Sequence, residues 1–160
     1  MTEHTIPPVF DTHSEILILG SFPSVKSREE GFFYGHPKNR FWQVTAAVYG
    51  QAVPGSVSEK KAFLLTNHIA VWDVIQSCDI TGSSDSSIKN VVPNDLRLIL
   101  DSAQIRQIYL NGKKAAELYQ RYLYPQIKRE AHTLPSTSPA NAAWSVERLI
   151  KAWECMKEEG

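Results

Sequence analysis

Four consecutive aliphatic residues, Ile16-Leu17-Ile18-Leu19, stop at Gly20-Ser21-Phe22-Pro23-Ser24. A short unbroken apolar run bounded by Gly and Pro is the pattern of a strand buried on both faces; a half-exposed strand would alternate. Ile69–Ile75 and Ile105–Leu110 read as two more such strands, and Glu130–Leu134 as a weaker fourth. Helical spacing fills the intervals. Phe41, Val44, Ala47 and Val48 share a face between Arg40 and Tyr49, with Gly50 as a stop. Ser56-x-x-Glu59 has the form of a capping box ahead of Ala62, Phe63 and Leu65. Pro93 stands where a helix carrying Leu96, Ile99 and Leu100 could begin, Lys113–Tyr122 reads as helical, and Val146, Leu149, Ile150 and Trp153 mark a final helix. Ser77–Asn90, rich in Ser, Gly and Asp, reads as a loop. Strands that alternate with helices predict an α/β fold: a three-layer sandwich with a four-stranded, mainly parallel sheet flanked by helices.

No repeat or Pro/Gly-rich linker divides the 160 residues, so residues 1–160 are expected to form a single domain, with residues 1–12 as an irregular lead-in. Seventeen Lys and Arg balance seventeen Asp and Glu, which argues against a protein that coats nucleic acid through bulk charge but leaves room for a small basic footprint. Cys78 and Cys155 are the only cysteines, too few for a disulfide framework or a Cys-rich metal site. The start shows no signal-peptide pattern, and no apolar run approaches the roughly 20 residues of a membrane span. The expectation is a cytoplasmic monomer with no metal, no cofactor and no membrane attachment.

In parallel α/β sheets, ligands collect beyond the carboxyl ends of the strands. Those ends carry Gly20–Asn39, Asn111-Gly112 and Pro135–Asn141, three polar, Gly/Pro-punctuated segments expected to meet at one edge of the sheet. The first is long for a connection inside an α/β unit, and long loops tend to be functional. It combines Phe32, Phe33 and Tyr34 with His36, Asn39, Lys38 and Arg40, a composition suited to a flat polar ring. Each residue also has a plain structural role to fill. Gly20–Ser24 can be a tight turn, His36 a structural hydrogen-bonder, Asn39 an N-cap, Asn111-Gly112 a turn pair, and Ser138-Pro139 a helix start. Phe41 and Trp42 read as core. No P-loop, Gly-x-Ser-x-Gly elbow or His pair with metal-ligand spacing is present.

Gly20-Ser-Phe-Pro-Ser24, Phe33-Tyr-Gly-His-Pro-Lys-Asn-Arg-Phe-Trp42 and Ser136-Thr-Ser-Pro-Ala-Asn141 together resemble the uracil-DNA glycosylase superfamily, closest to its hypoxanthine-DNA (deoxyinosine) glycosylase branch. Val71-Trp-Asp-Val74 and Leu110-Asn-Gly-Lys113 add to the likeness, which spans nearly the whole chain. His36-Pro37-x-Asn39-Arg40-Phe41-Trp42 also resembles the mismatch-specific uracil glycosylases. The resemblance implies a monofunctional glycosylase that flips a damaged base out of double-stranded DNA and hydrolyses its N-glycosidic bond. Two departures stand out. Phe22 occupies the place where most members carry Asp or Asn, and Leu134 the place of a second-motif His or Asn. With only two Cys, the iron–sulfur branches are excluded.

On this resemblance Asn39 is the catalytic residue, orienting water and meeting the developing positive charge with its carbonyl dipole. Ser21, Phe22, Tyr34 and Asn111 would bind the base: main-chain N–H groups near Ser21 and Phe22 stabilise it as it leaves, Tyr34 stacks on it, and Asn111 bonds its edge. Ser136, Ser138 and Asn141 would serve DNA phosphates and the wedge. Lys26, Arg28, Lys38 and Arg40 read equally as a basic rim or as ordinary solvated charges. The rival expectations are a uracil glycosylase acting on G:U mismatches, and a non-catalytic module that binds damaged DNA or a nucleobase.

Overall fold

The computed structural model describes residues 1–159. In chain order its elements are β1 (Thr2–Glu3), β2 (Ile16–Gly20), α1 (Val25–Glu30), α2 (Phe41–Val48), α3 (Val57–Thr66), β3 (Ile69–Asp73), β4 (Ile75–Asp79), β5 (Lys89–Pro93), α4 (Arg97–Leu100), β6 (Gln107–Asn111), α5 (Lys113–Leu118), α6 (Tyr124–Ile127), β7 (Ala131–Leu134), α7 (Val146–Trp153) and α8 (Cys155–Glu159). One turn of π-helix, Tyr119–Leu123, joins α5 to α6.

The four-stranded sheet has the order β3-β2-β6-β7, and every pairing in it is parallel. Both central strands are buried as their unbroken apolar runs require: Leu17, Ile18 and Leu19 are fully inaccessible, and Ile108 and Tyr109 likewise. Helices flank the sheet, with α3 packed near β3, α5 near β6 and β7, and α2 against α7. The α3 cap forms as its sequence indicates: Ser56 Oγ accepts from the Glu59 N–H, and Glu59 Oε1 accepts from the Ser56 N–H.

The N-terminal half differs from expectation in two places. Residues 1–12 are not merely irregular. β1 pairs antiparallel with β4, Val9 and Val71 exchange main-chain hydrogen bonds at 3.0 and 2.9 Å, and Ile6 and Val9 are buried. The second difference is that Ser77–Asn90 is not all loop: β4 and β5 form an antiparallel hairpin, and with β1 a second, three-stranded sheet of order β1-β4-β5. A hairpin with two register irregularities and a mostly exposed β5 carries no clean alternation for a sequence pattern to reveal. Pro93 accordingly ends β5 instead of starting a helix, and α4 is a single turn. Among the described residues no helix is long and apolar enough to cross a membrane.

β3 passes into β4 at Val74, and this junction is tightly held. The Val74 and Ile75 N–H groups donate to the Gly20 and Ser21 carbonyls at 2.9 and 3.1 Å. The buried Asn94 amide donates to the Asp73 and Ile75 carbonyls. The carboxyl ends of β2 and β3 are therefore locked side by side.

Candidate active site

The segments after β2, β6 and β7 do meet, and around them lies a cavity of about 510 Å³, within the size range of small-molecule sites. Ser21, Phe22, Tyr34, Asn39, Asn111, Ser136 and Ser138 line it. Asn141 does not: its amide donates to the Ser136 carbonyl and ties the loop internally.

Tyr34 is built in by an unusual backbone. Its φ of 52° is left-handed, uncommon for a side chain with a Cβ. The bend lays its ring on Phe41, with centroids 4.0 Å apart and planes 19° from parallel, while Phe41 packs edge-on to Trp42 and Trp153. One face of Tyr34 is thus committed to the core. Its hydroxyl is buried with no hydrogen-bond partner, although Asp73 and the Asn111 amide lie beside it. Burial, reinforced by the Asp73 charge, pushes the phenol far above its ordinary range, so it remains an O–H donor. Gly20 makes this approach possible, because a Cβ there would stand 2.5 Å from Asp73 Oδ1 and 3.2 Å from the Tyr34 hydroxyl.

Asn39, Thr137 and Asn111 form one hydrogen-bonded chain. Asn111 takes the Thr137 N–H on Oδ1 and gives an Nδ2 hydrogen to Thr137 Oγ1, both at 3.0 Å. The Thr137 hydroxyl in turn donates to Asn39 Oδ1 at 2.9 Å, and the same oxygen accepts the Phe41 N–H at 2.9 Å. Two donors on one atom identify it as the carbonyl oxygen and fix which way the Asn39 amide faces. The carbonyl assigned to the attacking water is therefore occupied by protein donors. The NH2 end has no partner among the described residues. The Asn111 amide also lies beside the Tyr34 hydroxyl. Thr137, at zero exposure, is the hub, and its place between two more exposed serines gave no sign of that role.

Around the mouth, the Ser136 and Ser138 hydroxyl oxygens accept the N–H groups of Ser138 and Ala140 at 3.1 Å, which leaves both O–H groups free to donate outward. Gly112, at φ 98°, is the only residue type that fits under this loop, since a Cβ there would meet Ser136 Cβ at 2.9 Å. Arg40 clamps the loop from below, donating to the carbonyls of Ser138, Asn141 and Trp144. Of the basic rim, Arg40 and Arg28 are thus engaged with main-chain carbonyls and Lys26 with Glu29. Lys113 and Lys114, not anticipated, line the cavity instead. Ser83–Ser86 from the β4–β5 hairpin close one side. Among the described residues no cluster of His, Cys, Asp and Glu could hold a metal ion.

The sequence reading also missed Asp73, which ends β3 at the cavity wall. Its Oδ2 bonds His4 Nε2 at 2.8 Å, and its Oδ1 accepts no hydrogen bond among the described residues. An Asp closing a buried strand is a legible signal; its pairing with a residue 69 positions earlier is not.

The family model for the uracil DNA glycosylase superfamily matches residues 7–157. A protein of Methanosarcina acetivorans named hypoxanthine DNA glycosylase is 36% identical over 158 residues, covering 98% of each chain. One of the same name from Methanosarcina barkeri is 33% identical over 147 residues, covering 88% of this chain and 89% of its own. A solution NMR structure from Methanosarcina acetivorans, solved as a candidate uracil DNA glycosylase, superposes with a TM-score of 0.80 at 32% identity, covering 98% of this chain and 99% of the other.

Proposed function

This chain belongs to the uracil DNA glycosylase superfamily and is a DNA glycosylase, and we propose that the base it excises is hypoxanthine, from deoxyinosine in duplex DNA. The observation that supports a lactam base is the couple at the cavity wall, and the relatives' names narrow it to hypoxanthine. The Tyr34 hydroxyl is an unpartnered donor, and Asp73 Oδ1 an unpartnered acceptor beside it. A buried polar group without a partner costs roughly 1–3 kcal/mol, so a ligand that satisfies both groups is favoured strongly. The complement is a lactam edge: a ring N–H for Asp73 and the adjacent carbonyl for Tyr34. Hypoxanthine presents that edge at N1 and O6, and uracil at N3 and O4. Adenine presents donor and acceptor in the opposite order. Guanine shares the lactam edge, and its rejection falls to its 2-amino group and to its stable pairing with cytosine. The names of the two relatives favour hypoxanthine over uracil.

The base reaches the cavity by flipping, which costs a few kcal/mol and least at a mispaired base. The bond from C1′ to N9 then lengthens and its electron pair passes to the base, leaving an oxocarbenium-like sugar. Main-chain groups near Ser21 and Phe22 meet the charge gathering on the base. Asn39 holds the attacking water by donating from Nδ2 to its oxygen, an orientation set by Phe41 N–H and the Thr137 hydroxyl. Water adds to C1′ and its released proton ends on the base, giving hypoxanthine and an abasic site. An amide is too weak a base to deprotonate water ahead of bond breaking, so the reaction depends on a leaving group that carries charge well. The Ser136 and Ser138 hydroxyls, with Lys113 and Lys114, bind flanking phosphates.

Alkali-induced scission of a duplex carrying one deoxyinosine tests this reading. The protein is expected to cleave it, and Asn39→Ala to lose about 100-fold or more of that activity while binding the duplex. Cleavage of deoxyuridine alone would transfer the reading to the G:U enzyme. Unchanged cleavage by Asn39→Ala would remove that residue from the chemistry.

A further inference from the structure

His4 stands outside every segment that lines the cavity, yet its side chain is buried. Its side chain is 2% exposed and that of its partner Asp73 5%. The ring lies against Phe22 and Phe33, each with a centroid 5.9 Å away, and the His4 N–H is fixed to the Gln76 carbonyl at 2.7 Å. β1 holds the residue there by pairing Thr2 and Glu3 with Cys78 and Ser77. A buried His–carboxylate pair contributes little net stability over an apolar substitute of similar size, because desolvation offsets most of the attraction. A pair kept for stability would also spend both carboxylate oxygens on the protein. Here one oxygen is bonded to His4 and the other is left at the cavity wall.

We propose that His4 is a positioning residue for base recognition: by donating from Nε2 to Asp73 Oδ2, it keeps Oδ1 turned into the cavity as the acceptor for the ring N–H of the flipped base. Asp and Glu side chains in their ionised form only accept, so the shared proton sits on the imidazole. Without His4 the carboxylate is free to turn toward the Tyr34 hydroxyl. That change removes the acceptor. The N-terminal strand is thereby part of the active site, although no residue of it reaches the cavity. This inference rests on the lactam reading above.

Its test is the binding of duplexes that cannot be cleaved, carrying 2′-fluoroarabino-inosine or the matching nebularine, a purine without O6 and N1–H. Fluorescence anisotropy gives both dissociation constants. The unmodified protein is expected to prefer inosine by about tenfold or more, the worth of a hydrogen bond to a charged group. His4→Phe keeps a ring between Phe22 and Phe33 and deletes the donor; it is expected to abolish most of the preference by weakening inosine binding while leaving nebularine binding in place. His4→Asn, whose amide stops short of Asp73, should do the same and guards against a misfolded first variant. In an Asp73→Ala background, His4→Phe should change neither constant further, as a residue acting through Asp73 requires. Equal weakening toward both duplexes would reduce His4 to a packing role. An undiminished preference in either folded variant would overturn the proposal. Failure of the function itself is read separately, as an unmodified protein that leaves deoxyinosine uncleaved.

Discussion

Among single residues, the site is organised by Thr137, whose hydroxyl is the one group that both accepts from Asn111 and donates to Asn39. Thr137→Val keeps the volume and deletes the relay, leaving the Asn39 carbonyl with a single donor and an Asn111 N–H with none. We expect excision to fall roughly tenfold or more, with a stability loss of about 1–2 kcal/mol in denaturant unfolding, while Thr137→Ser stays near the parent in both. A Val variant of full activity would show that the relay does not orient Asn39. Tyr34 poses a different question, because its hydroxyl is a donor only while protonated. Burial holds the phenol well above its ordinary range, so it titrates beyond the working pH. Tyr34→Phe is thus expected to lower kcat/KM for deoxyinosine while leaving the shape of the pH–rate profile from about pH 6 to 10 unaltered. An alkaline limb that disappears in Tyr34→Phe would contradict this. Asn39, Asn111, Ser136 and Ser138 were legible because polar residues at the carboxyl ends of buried strands gather at one edge. The pairing of Asp73 with His4 was not: a lone His in Thr2–Pro8 carries no spacing signal, and its meaning comes from a partner 69 residues away.

The apolar runs that become β2, β3 and β6 were legible because parallel strands covered on both faces cannot alternate. α2, α3 and α7 were equally legible from spacing and caps. The β1-β4-β5 sheet was hidden by its chemistry: β5, Lys89–Pro93, is mostly exposed, β1 is two residues long, and the connection carries Gly82 and a run of serines. Small antiparallel sheets of this kind owe their form to the core they rest on, and so leave little trace in local pattern. The loop after β7 depends on a neighbour too. Beyond the loop's own turn bonds and the buried Thr137, Arg40 adds rigidity by spanning three of its carbonyls. A lysine ammonium is a point charge on a flexible stem and cannot span them together. Arg40→Lys is therefore expected to speed hydrogen exchange across residues 138–144 while the β2 and β6 amides stay protected, and to raise KM for the duplex several-fold with a smaller change in kcat. Unchanged exchange in the loop would mean that the Ser136–Asn141 turn bonds hold it unaided.

For the molecule as a whole, the balance of seventeen cationic and seventeen anionic side chains sets how DNA is held. A neutral protein draws no general advantage from the phosphate field, so affinity must come from a few cations placed near the cavity and from the flipped base itself. The placement is sparse. Arg28 and Arg40 are turned inward onto carbonyls; Lys113 and Lys114 line the cavity, Lys114 also 3.8 Å from Glu117, and Lys38 stands between the cavity-lining His36 and Asn39, so these three are the cations placed for phosphates near the opening. Asp85 lies at the same opening, where burial raises its carboxyl pKa and Lys114 partly opposes that shift. Each phosphate neutralised contributes about 0.9 to the slope of log affinity against log salt, so three contacts predict a slope near about −3, shallow for a DNA-binding protein. Lys113→Gln with Lys114→Gln should reduce the slope by about 2 and weaken undamaged and deoxyinosine duplexes alike, leaving the preference between them intact, because phosphate contacts carry no information about the base. Anisotropy titrations at several salt concentrations on both duplexes give the slope and the preference together. A slope far steeper than this would require a larger basic surface than these three lysines. A preference that collapses with the lysines would place lesion recognition at the phosphates instead of at Asp73 and Tyr34.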